Sequence, residues 1–444
     1  MQNSRHILRV VLLLLSVIPL ATYGQNSSLN TFSPYTFYGI GDFATQGPGY
    51  IRSMGGAGIG FRNSLKINYM NPASYSILRQ KTFLFNVEME GVNTYSKTSA
   101  AKTSHNSINV RDLSLAFPLG RGVGVGFSLT PYSSVGYRVD MNETDPTYLA
   151  NNMNVIYNYV GEGNVVQAKF GLGVQVTKRL SLGADLIYFH GRLTNFFNTT
   201  ISSILATETF NSVEGTARKQ ISKLASTFGL QYDILLNEKR ILTFGATYQP
   251  EVNLRPNMTR VIYSTNIGSA AVVDSVGKEN FYLPHMYNLG LSFQSMRFSA
   301  SVDYSSQLWS GSRNVDDVLN SIEFKNSQYF KVGFQYTPNP GDARRVLNRW
   351  SYRLGFRFGD YYMRINEHNI YDKAITAGVG IPLRSAFMGT SAINVGVEFG
   401  WRGRTQDGMI GTRQFRMVQE KYFKISVGLS LFGEDDWFKR FKYQ

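Results

Sequence analysis

Hydrophobic and polar residues alternate with a period of two along most of this chain, and that pattern predicts β-strands. Apolar residues occupy every second position from Val166 to Val174, and again from Ile393 to Trp401. Successive side chains of a strand point to opposite faces, so each strand has one apolar face and one polar or glycine face. We predict fourteen strands, centred near Phe85, Leu115, Phe127, Phe170, Leu186, Phe228, Phe244, Leu291, Val302, Phe334, Phe356, Val379, Val397 and Val427.

The lengths of the strands and loops favour a membrane barrel over a soluble sandwich, which would also alternate. The segments are close to the roughly 9–11 residues that a tilted strand needs to cross a bilayer. Short links such as Gly120-Arg121 alternate with long polar ones such as Asp140–Glu162, as in bacterial outer-membrane barrels. Aromatic residues near strand ends are predicted to form girdles at the membrane surfaces: Tyr137, Trp309, Trp350, Tyr361, Trp401 and Trp437. The predicted fold class is therefore all-β, a 14-stranded antiparallel transmembrane β-barrel.

The first 24 residues predict an export signal. Arg5 and Arg9 precede the apolar run Val10–Leu20, and cleavage is expected before Gln25. A single membrane anchor is the alternative, but this run is about half the roughly 20 residues that a spanning helix needs. An exported chain with short turns on one rim predicts an outer-membrane location with both termini in the periplasm.

The lumen of a fourteen-stranded barrel is too wide for inward side chains to fill. Residues 25–80 are rich in Gly, Ser, Asn and aromatic residues and are predicted to form a plug. The predicted organisation is a signal peptide (1–24), the plug (25–80), the barrel (81–432) and a periplasmic tail (433–444). The glycine run Ser53–Gly60 is not followed by a strand–turn–helix unit, so it indicates close backbone packing and not a phosphate-binding loop.

This glycine run is followed by Asn71-Pro72-Ala73, just before the first predicted strand. The arrangement resembles the N-terminal hatch of the FadL-like long-chain fatty acid and hydrocarbon transporters, in a Bacteroidota-type member. The resemblance implies a hatch that blocks the lumen and gates it, a hydrophobic ligand captured at the outer face, and lateral release through a gap near the third strand. The gating residues that it implies are Gly55, Gly56, Gly58, Asn71, Pro72 and Ala73.

The third strand itself supports a wall gap. Pro131 has no N–H to donate to a neighbouring strand, and Gly136 follows five residues later. We predict a local break in strand pairing at these two residues, which would form the lateral opening. The alternative is that Pro131 marks the outer end of the strand.

Two groups of residues are candidates for ligand contact. The first comprises plug aromatics, which either line an apolar pocket or pack the plug: Phe32, Phe37, Phe43 and Phe61. The second comprises Arg353 and Arg357, which are predicted to face the lumen and either attract an acidic head group or solvate the pore.

Several other functions are disfavoured by composition. The 444 residues include no Cys, and the five His have no metal-site spacing, so we predict no metal and no cofactor. His190 with Asp185 and a serine is the one conceivable triad, and we predict a non-enzyme. The net charge of +15 does not outweigh the export signal, so no nucleic-acid partner is expected.

The predicted function is passive uptake of small hydrophobic molecules by a monomer embedded in outer-membrane lipid. The alternative is a barrel that serves secretion machinery as an interaction, shuttle or anchor protein. A plain porin is a third possibility.

Overall fold

The structure is a computed structural model, and it describes residues 31–143, 147, 150–151, 153–203, 212–264, 272–314, 322–342, 344–383, 391–410 and 413–434. The predicted signal peptide and all but the start of the predicted tail lie outside these residues. Within the described ranges, no helix combines the length and the apolar character that a membrane-spanning helix requires.

Fourteen long antiparallel strands form one closed barrel. They are β1 (Thr82–Lys97), β2 (Lys102–Gly120), β3 (Val123–Asn142), β4 (Met153–Gln175), β5 (Leu180–Ser203), β6 (Val213–Asn237), β7 (Arg240–Gln249), β8 (Met286–Ser295), β9 (Phe298–Gln307), β10 (Ser327–Tyr336), β11 (Ser351–Ile365), β12 (His368–Pro382), β13 (Ala392–Arg402) and β14 (Gln419–Glu434). Consecutive strands pair, and β14 closes the barrel on β1 from Thr82 opposite Glu434 to Lys97 opposite Gln419. The predicted fourteen-stranded barrel is confirmed, and every predicted centre lies in its own strand.

Shorter elements lie in the N-terminal segment and in the loops. The short strands are Asp42–Phe43, Val252–Asn253, Asn257–Ser264, Val272–Lys278, Tyr282–Leu283, Ile322–Phe324, Gln406–Ile410 and Arg413–Met417. The helices whose full extent the structure describes include the α-helix Gly49–Arg52 and the 3-10 helices Pro34–Phe37, Pro72–Ile77, Trp309–Gly311 and Val346–Arg349. Asn257–Ser264 pairs with the outer part of β6, so it extends the wall beyond the main barrel.

The outer surface of the barrel is apolar, as the alternation predicts. Phe170 of β4 is 56% exposed, and Leu354 of β11 is equally exposed, while their inward neighbours are small or polar. Leaving such a surface in water would be costly, whereas hydrocarbon solvates it. Closure of the barrel also pairs the edges of its first and last strands, β1 and β14.

Part of the predicted aromatic girdle is wrong. Tyr137, Trp309 and Tyr361 are buried inside the molecule, with Tyr137 only 2% exposed. In β3 the cause is a one-residue bulge between Pro131 and Ser133, where pairing with β4 shifts by one residue. A bulge exchanges the two faces of a strand, so odd-numbered residues that face outward at Leu129 face inward at Tyr137.

Residues 31–80, which we call the N-terminal segment, pack against inward-facing glycines of the barrel. A Cβ added at any of these glycines would overlap the segment: Gly124, Gly173, Gly183, Gly229, Gly245, Gly290, Gly333, Gly355, Gly378 and Gly396. The first four are register neighbours across β3 to β6. We call these ten residues the glycine ring. Because they lack side chains, the backbone of the segment approaches the wall to van der Waals contact.

Candidate functional site

The predicted motif Asn71-Pro72-Ala73 joins the N-terminal segment to the wall. The Oδ1 atom of Asn71 accepts the N–H of Ala73 and caps the helix that begins at Pro72. The amide nitrogen of Asn71 donates to the carbonyls of Ile59 (3.1 Å) and Leu230 (3.0 Å), so one side chain links two parts of the segment to β6. Ala73 lies over Gly183, where a larger wall residue would not fit.

The glycine run forms a second attachment to the wall. Gly55 and Gly56 have positive φ values of 68° and 78°, which glycine adopts without strain. The N–H of Gly55 donates to Thr376 Oγ1 at 2.8 Å. The N–H groups of Gly58 and Ile59 both donate to Asp303 Oδ2, at 2.6 and 2.9 Å. Gly55 and Gly58 therefore dock the segment against β9, β11 and β12, whereas Gly56 contributes a left-handed backbone turn without a close contact to the wall.

Buried ion pairs add to this docking, and sequence reasoning missed them. Arg52 pairs with Glu88, and lies 3.8 Å from Glu90 of the same strand. Arg62 pairs with Asp233 of β6 at 2.8 Å. Charged residues within a glycine-rich segment, and carboxylates at inward positions of strands, are the signal that would have indicated them.

The wall has a long unpaired stretch between β2 and β3. These strands pair from Gly120 opposite Val123 only as far as Leu113 opposite Leu129. Beyond that point, β1 is the only barrel strand that pairs with residues 102–112, and β4 is the only barrel strand that pairs with residues 130–142. We call this stretch the wall gap. Both Pro131 and Gly136 lie along its β3 side, at the place where the sequence predicts a lateral opening.

The inner side of the wall gap is covered by residues 31–46, which we call the outer arm. Asp42 and Phe43 pair antiparallel with Ser134 and Ser133 of β3. The N–H of Ser33 donates to the carbonyl of Gly136 at 2.8 Å.

The outer arm also reaches across to β2. Phe32 stacks on His105 of that strand, with ring centroids 5.1 Å apart. The arm thus contacts both sides of the gap.

On the side away from the wall gap, the outer arm is held by charged and polar contacts. Asp42 accepts from Arg402 at 2.8 Å, and the hydroxyl of Ser33 donates to Glu420 at 2.5 Å. Tyr35 donates to the carbonyl of Val418. Burial raises the pKa of Tyr35 well above its usual value, so this hydroxyl stays protonated and remains a donor.

The predicted aromatic ligand contacts do not form one site. Phe37 and Phe43 pack against a large buried cluster beneath the outer loops, where Phe43 meets Tyr132 (5.3 Å) and Tyr362 (5.0 Å). Phe61 belongs to a different cluster deeper in the segment, and the ring of Phe32 packs against His105 of β2. The four side chains therefore have protein neighbours of their own.

The two predicted arginines face the lumen and are buried. Arg353 donates to Gln335 Oε1 (3.0 Å) and Asn394 Oδ1 (2.8 Å). Arg357 donates to Glu398 Oε1 at 2.9 Å and to the hydroxyl of Tyr422 at 3.0 Å.

Two cavities lie within the described part of the protein. The larger, about 430 Å³, lies among the outer loops and is lined mainly by polar groups, including Asn314, Glu323 and Arg364. The smaller, about 10 Å³, lies beside Arg52 and Glu398. The larger lacks the mostly apolar lining that is usual for a hydrophobic ligand site, and the smaller is far below the roughly 300–1,000 Å³ of such sites.

The conceivable triad is not assembled. Asp185 and His190 are five residues apart on β5, so they lie on opposite faces. Asp185 is buried inside the barrel, and His190 is exposed on the outside.

A closed barrel of fourteen strands, with its own N-terminal segment docked against the inner wall, is the architecture of FadL-like outer-membrane proteins. The fold is similar to a Pseudomonas aeruginosa FadL homologue (TM-score 0.57, 12% identity, covering 87% of this chain and 99% of that one). It is also similar to the P. putida toluene transporter TodX (0.52, 16%, 87% and 98%) and to the CymD monoaromatic hydrocarbon channel (0.51, 15%, 86% and 96%). At these identities the likeness concerns the fold, and it confirms the predicted FadL-like resemblance.

The chain belongs to the BamG family, whose model matches residues 6–444. The comparison with curated proteins found no matching sequence.

Proposed function

We propose that this protein is an outer-membrane channel for small hydrophobic molecules, with lateral release through the wall gap and gating by the N-terminal segment. The wall gap is the observation that carries the proposal. The barrel axis is obstructed by a segment with buried ion pairs, so a sideways route into the membrane is the shorter path for an apolar molecule. The hydrocarbon channels of similar fold support the ligand class.

The outer arm is the proposed gate. It covers the gap with a few backbone hydrogen bonds and is held on the side away from the gap by the ion pair of Asp42 with Arg402, whereas the rest of the segment is fixed by the glycine ring and by several buried ion pairs. Movement of the arm alone would open the gap, while the rest of the N-terminal segment would continue to block the lumen. The lumen would then stay closed to ions during uptake.

A reversible lock tests this route. Phe43 and Ser133 face each other across antiparallel strands, where Cβ atoms lie roughly 4.5–5.5 Å apart and a disulfide needs only a small adjustment. The protein has no native Cys, so Phe43→Cys with Ser133→Cys forms a defined bond. We expect uptake of labelled toluene into proteoliposomes to fall to background when oxidised and to recover on reduction.

The single variant Phe43→Cys is the matched control, because it loses the same aromatic ring without gaining a bond. Uptake by the oxidised double variant at the level of this control would refute lateral release. Absence of uptake by the unmodified protein, for toluene and for long-chain fatty acids, would refute the channel itself.

A second candidate is an interaction or anchor barrel for secretion machinery. One observation favours it: the cavity of about 430 Å³ among the outer loops is lined mainly by polar groups. We would then expect a stoichiometric protein partner after purification in mild detergent, with no hydrocarbon uptake. Removal of the outer hairpin Gln406–Met417 tests whether that partner binds on the loop side.

A further inference from the structure

The rim of the barrel that carries the short turns is strongly basic. Nine exposed cationic side chains lie in these turns or at the strand ends beside them, and we call them the basic rim: Lys81, Arg121, Lys178, Arg179, Lys239, Arg240, Arg297, Arg344 and Arg345. In the described turns of this rim the acidic residues are Glu238 and Asp342, with Glu434 at the end of β14. Positive charge is therefore in large excess on this rim.

These cations have no ion-pair partner among the residues that the structure describes. The carboxylate of Asp342 is already engaged by the backbone N–H groups of Arg344 and Arg345 and by Asn348. The loop rim is different, because its charges are of both signs and some of them form pairs, as Lys219 does with Glu279 at 2.8 Å. Like charges concentrated on one rim repel each other and attract anions.

Apolar side chains are exposed beside these cations in the same turns. Leu119, next to Arg121, is 59% exposed, and Met296, next to Arg297, is 70% exposed. Exposed Leu236 and Leu347 lie close to Lys239 and Arg345. Apolar groups beside cations suit the boundary of a bilayer, where the former enter the acyl region and the latter reach the phosphates.

The distribution of the cations distinguishes a lipid from a protein partner. They precede β1 and occupy the turns β2–β3, β4–β5, β6–β7, β8–β9 and β10–β11, so they surround much of the barrel. A docked protein covers one side of a rim, whereas lipid head groups surround all of it. We propose that the basic rim binds the phosphate groups of anionic phospholipids in the leaflet on the short-turn side, and so fixes the depth of the barrel in the membrane.

The experiment compares two variants that lose equal charge. The rim variant carries Arg121→Gln, Lys178→Gln, Arg179→Gln, Lys239→Gln and Arg240→Gln. The control carries five exposed cations on the loop side, namely Lys97→Gln, Lys102→Gln, Arg138→Gln, Arg192→Gln and Lys278→Gln. Each full chain is placed in mixed micelles with equal amounts of phosphatidylglycerol and phosphatidylethanolamine, and bound lipids are counted by native mass spectrometry.

We expect the unmodified protein and the control to retain phosphatidylglycerol about fivefold over phosphatidylethanolamine, the enrichment that one membrane-facing cation provides. The rim variant, which keeps Lys81, Arg297, Arg344 and Arg345, should show a lower ratio than the control while still migrating as a folded barrel on unheated gels. Equal retention of both lipids by the unmodified protein would overturn the proposal, as would an equal loss in the control. Binding of soluble polyglutamate without lipid preference would indicate an acidic protein partner instead, which also overturns it.

Discussion

Replacement of Gly55 by alanine should detach the glycine run from the wall. An added Cβ would lie 2.6 Å from the carbonyl oxygen of Phe356 and 2.8 Å from that of Val332, both of them backbone atoms. Restoring normal contact requires a movement of about 0.8 Å or more, since ordinary Cβ contacts begin near 3.4 Å. The hydrogen bond from Gly55 to Thr376, now 2.8 Å, would then exceed hydrogen-bonding distance.

The expected cost follows from these contacts. Overpacking costs about 1–3 kcal/mol, and a broken buried hydrogen bond costs about 1–3 kcal/mol more. Gly56→Ala is the matched control, because Gly56 has the same left-handed backbone but its added Cβ would meet only Thr45 at 3.4 Å and Lys331 at 3.8 Å. Both variants share the strain of a positive φ, so their difference of about 2–6 kcal/mol reports docking alone.

A cysteine reporter measures this difference. Ser53→Cys introduces one thiol into a chain without cysteine, at a buried position next to the glycine run. The rate of maleimide labelling reports how often the segment leaves the wall. A difference of about 2 kcal/mol corresponds to about 30-fold faster labelling in Gly55→Ala than in Gly56→Ala. Equal rates in the two variants would refute the view that the glycine run is docked by close packing.

Three further changes test other parts of the molecule. Pro131→Val gives β3 a backbone donor at the wall gap, so uptake of hydrocarbons should slow; unaltered uptake of every tested hydrocarbon would count against lateral release. Arg402→Met removes the cation that lies between the half-buried Asp42 at 2.8 Å and the buried Asp372 and Glu420, and it should lower the free energy of unfolding by about 3–5 kcal/mol in detergent; an unchanged urea midpoint would exclude this role. The backbone N–H of Arg345, with two further donors, lowers the pKa of Asp342, so its contribution to the β10–β11 turn is complete above the ordinary carboxyl pKa and is lost only as the pH falls through the lower folded value. Amide exchange in this turn should therefore accelerate only in strong acid, and acceleration already near pH 5 would contradict the assignment.

The barrel could be predicted from the sequence because its signals are local. Alternation over ten residues identifies a strand, and the contrast between Gly120-Arg121 and a long polar loop identifies the two rims. The face of an aromatic residue such as Tyr137 could not be predicted, because one bulge in β3 reverses the alternation without changing the pattern around it.

The contacts of the N-terminal segment were also beyond sequence reasoning. Asn71 and Gly55 stand in a conspicuous motif, but their partners Leu230 and Thr376 are more than 150 residues away. Such contacts depend on the register of all the strands in between, which no local pattern encodes. The pairing of Phe43 with β3 is similar, since a two-residue strand gives no periodic signal.

The glycine ring has a consequence for the order in which the molecule is made. Its ten members contact the N-terminal segment too closely for the segment to enter a barrel that has already closed. The segment is also continuous with β1, which begins at Thr82. The N-terminal segment must therefore be in position while the sheet is still open, and the strands must close around it as they are added. The pairing between β1 and β14 then forms last, and the N-terminal segment acts as an internal template for assembly of the barrel.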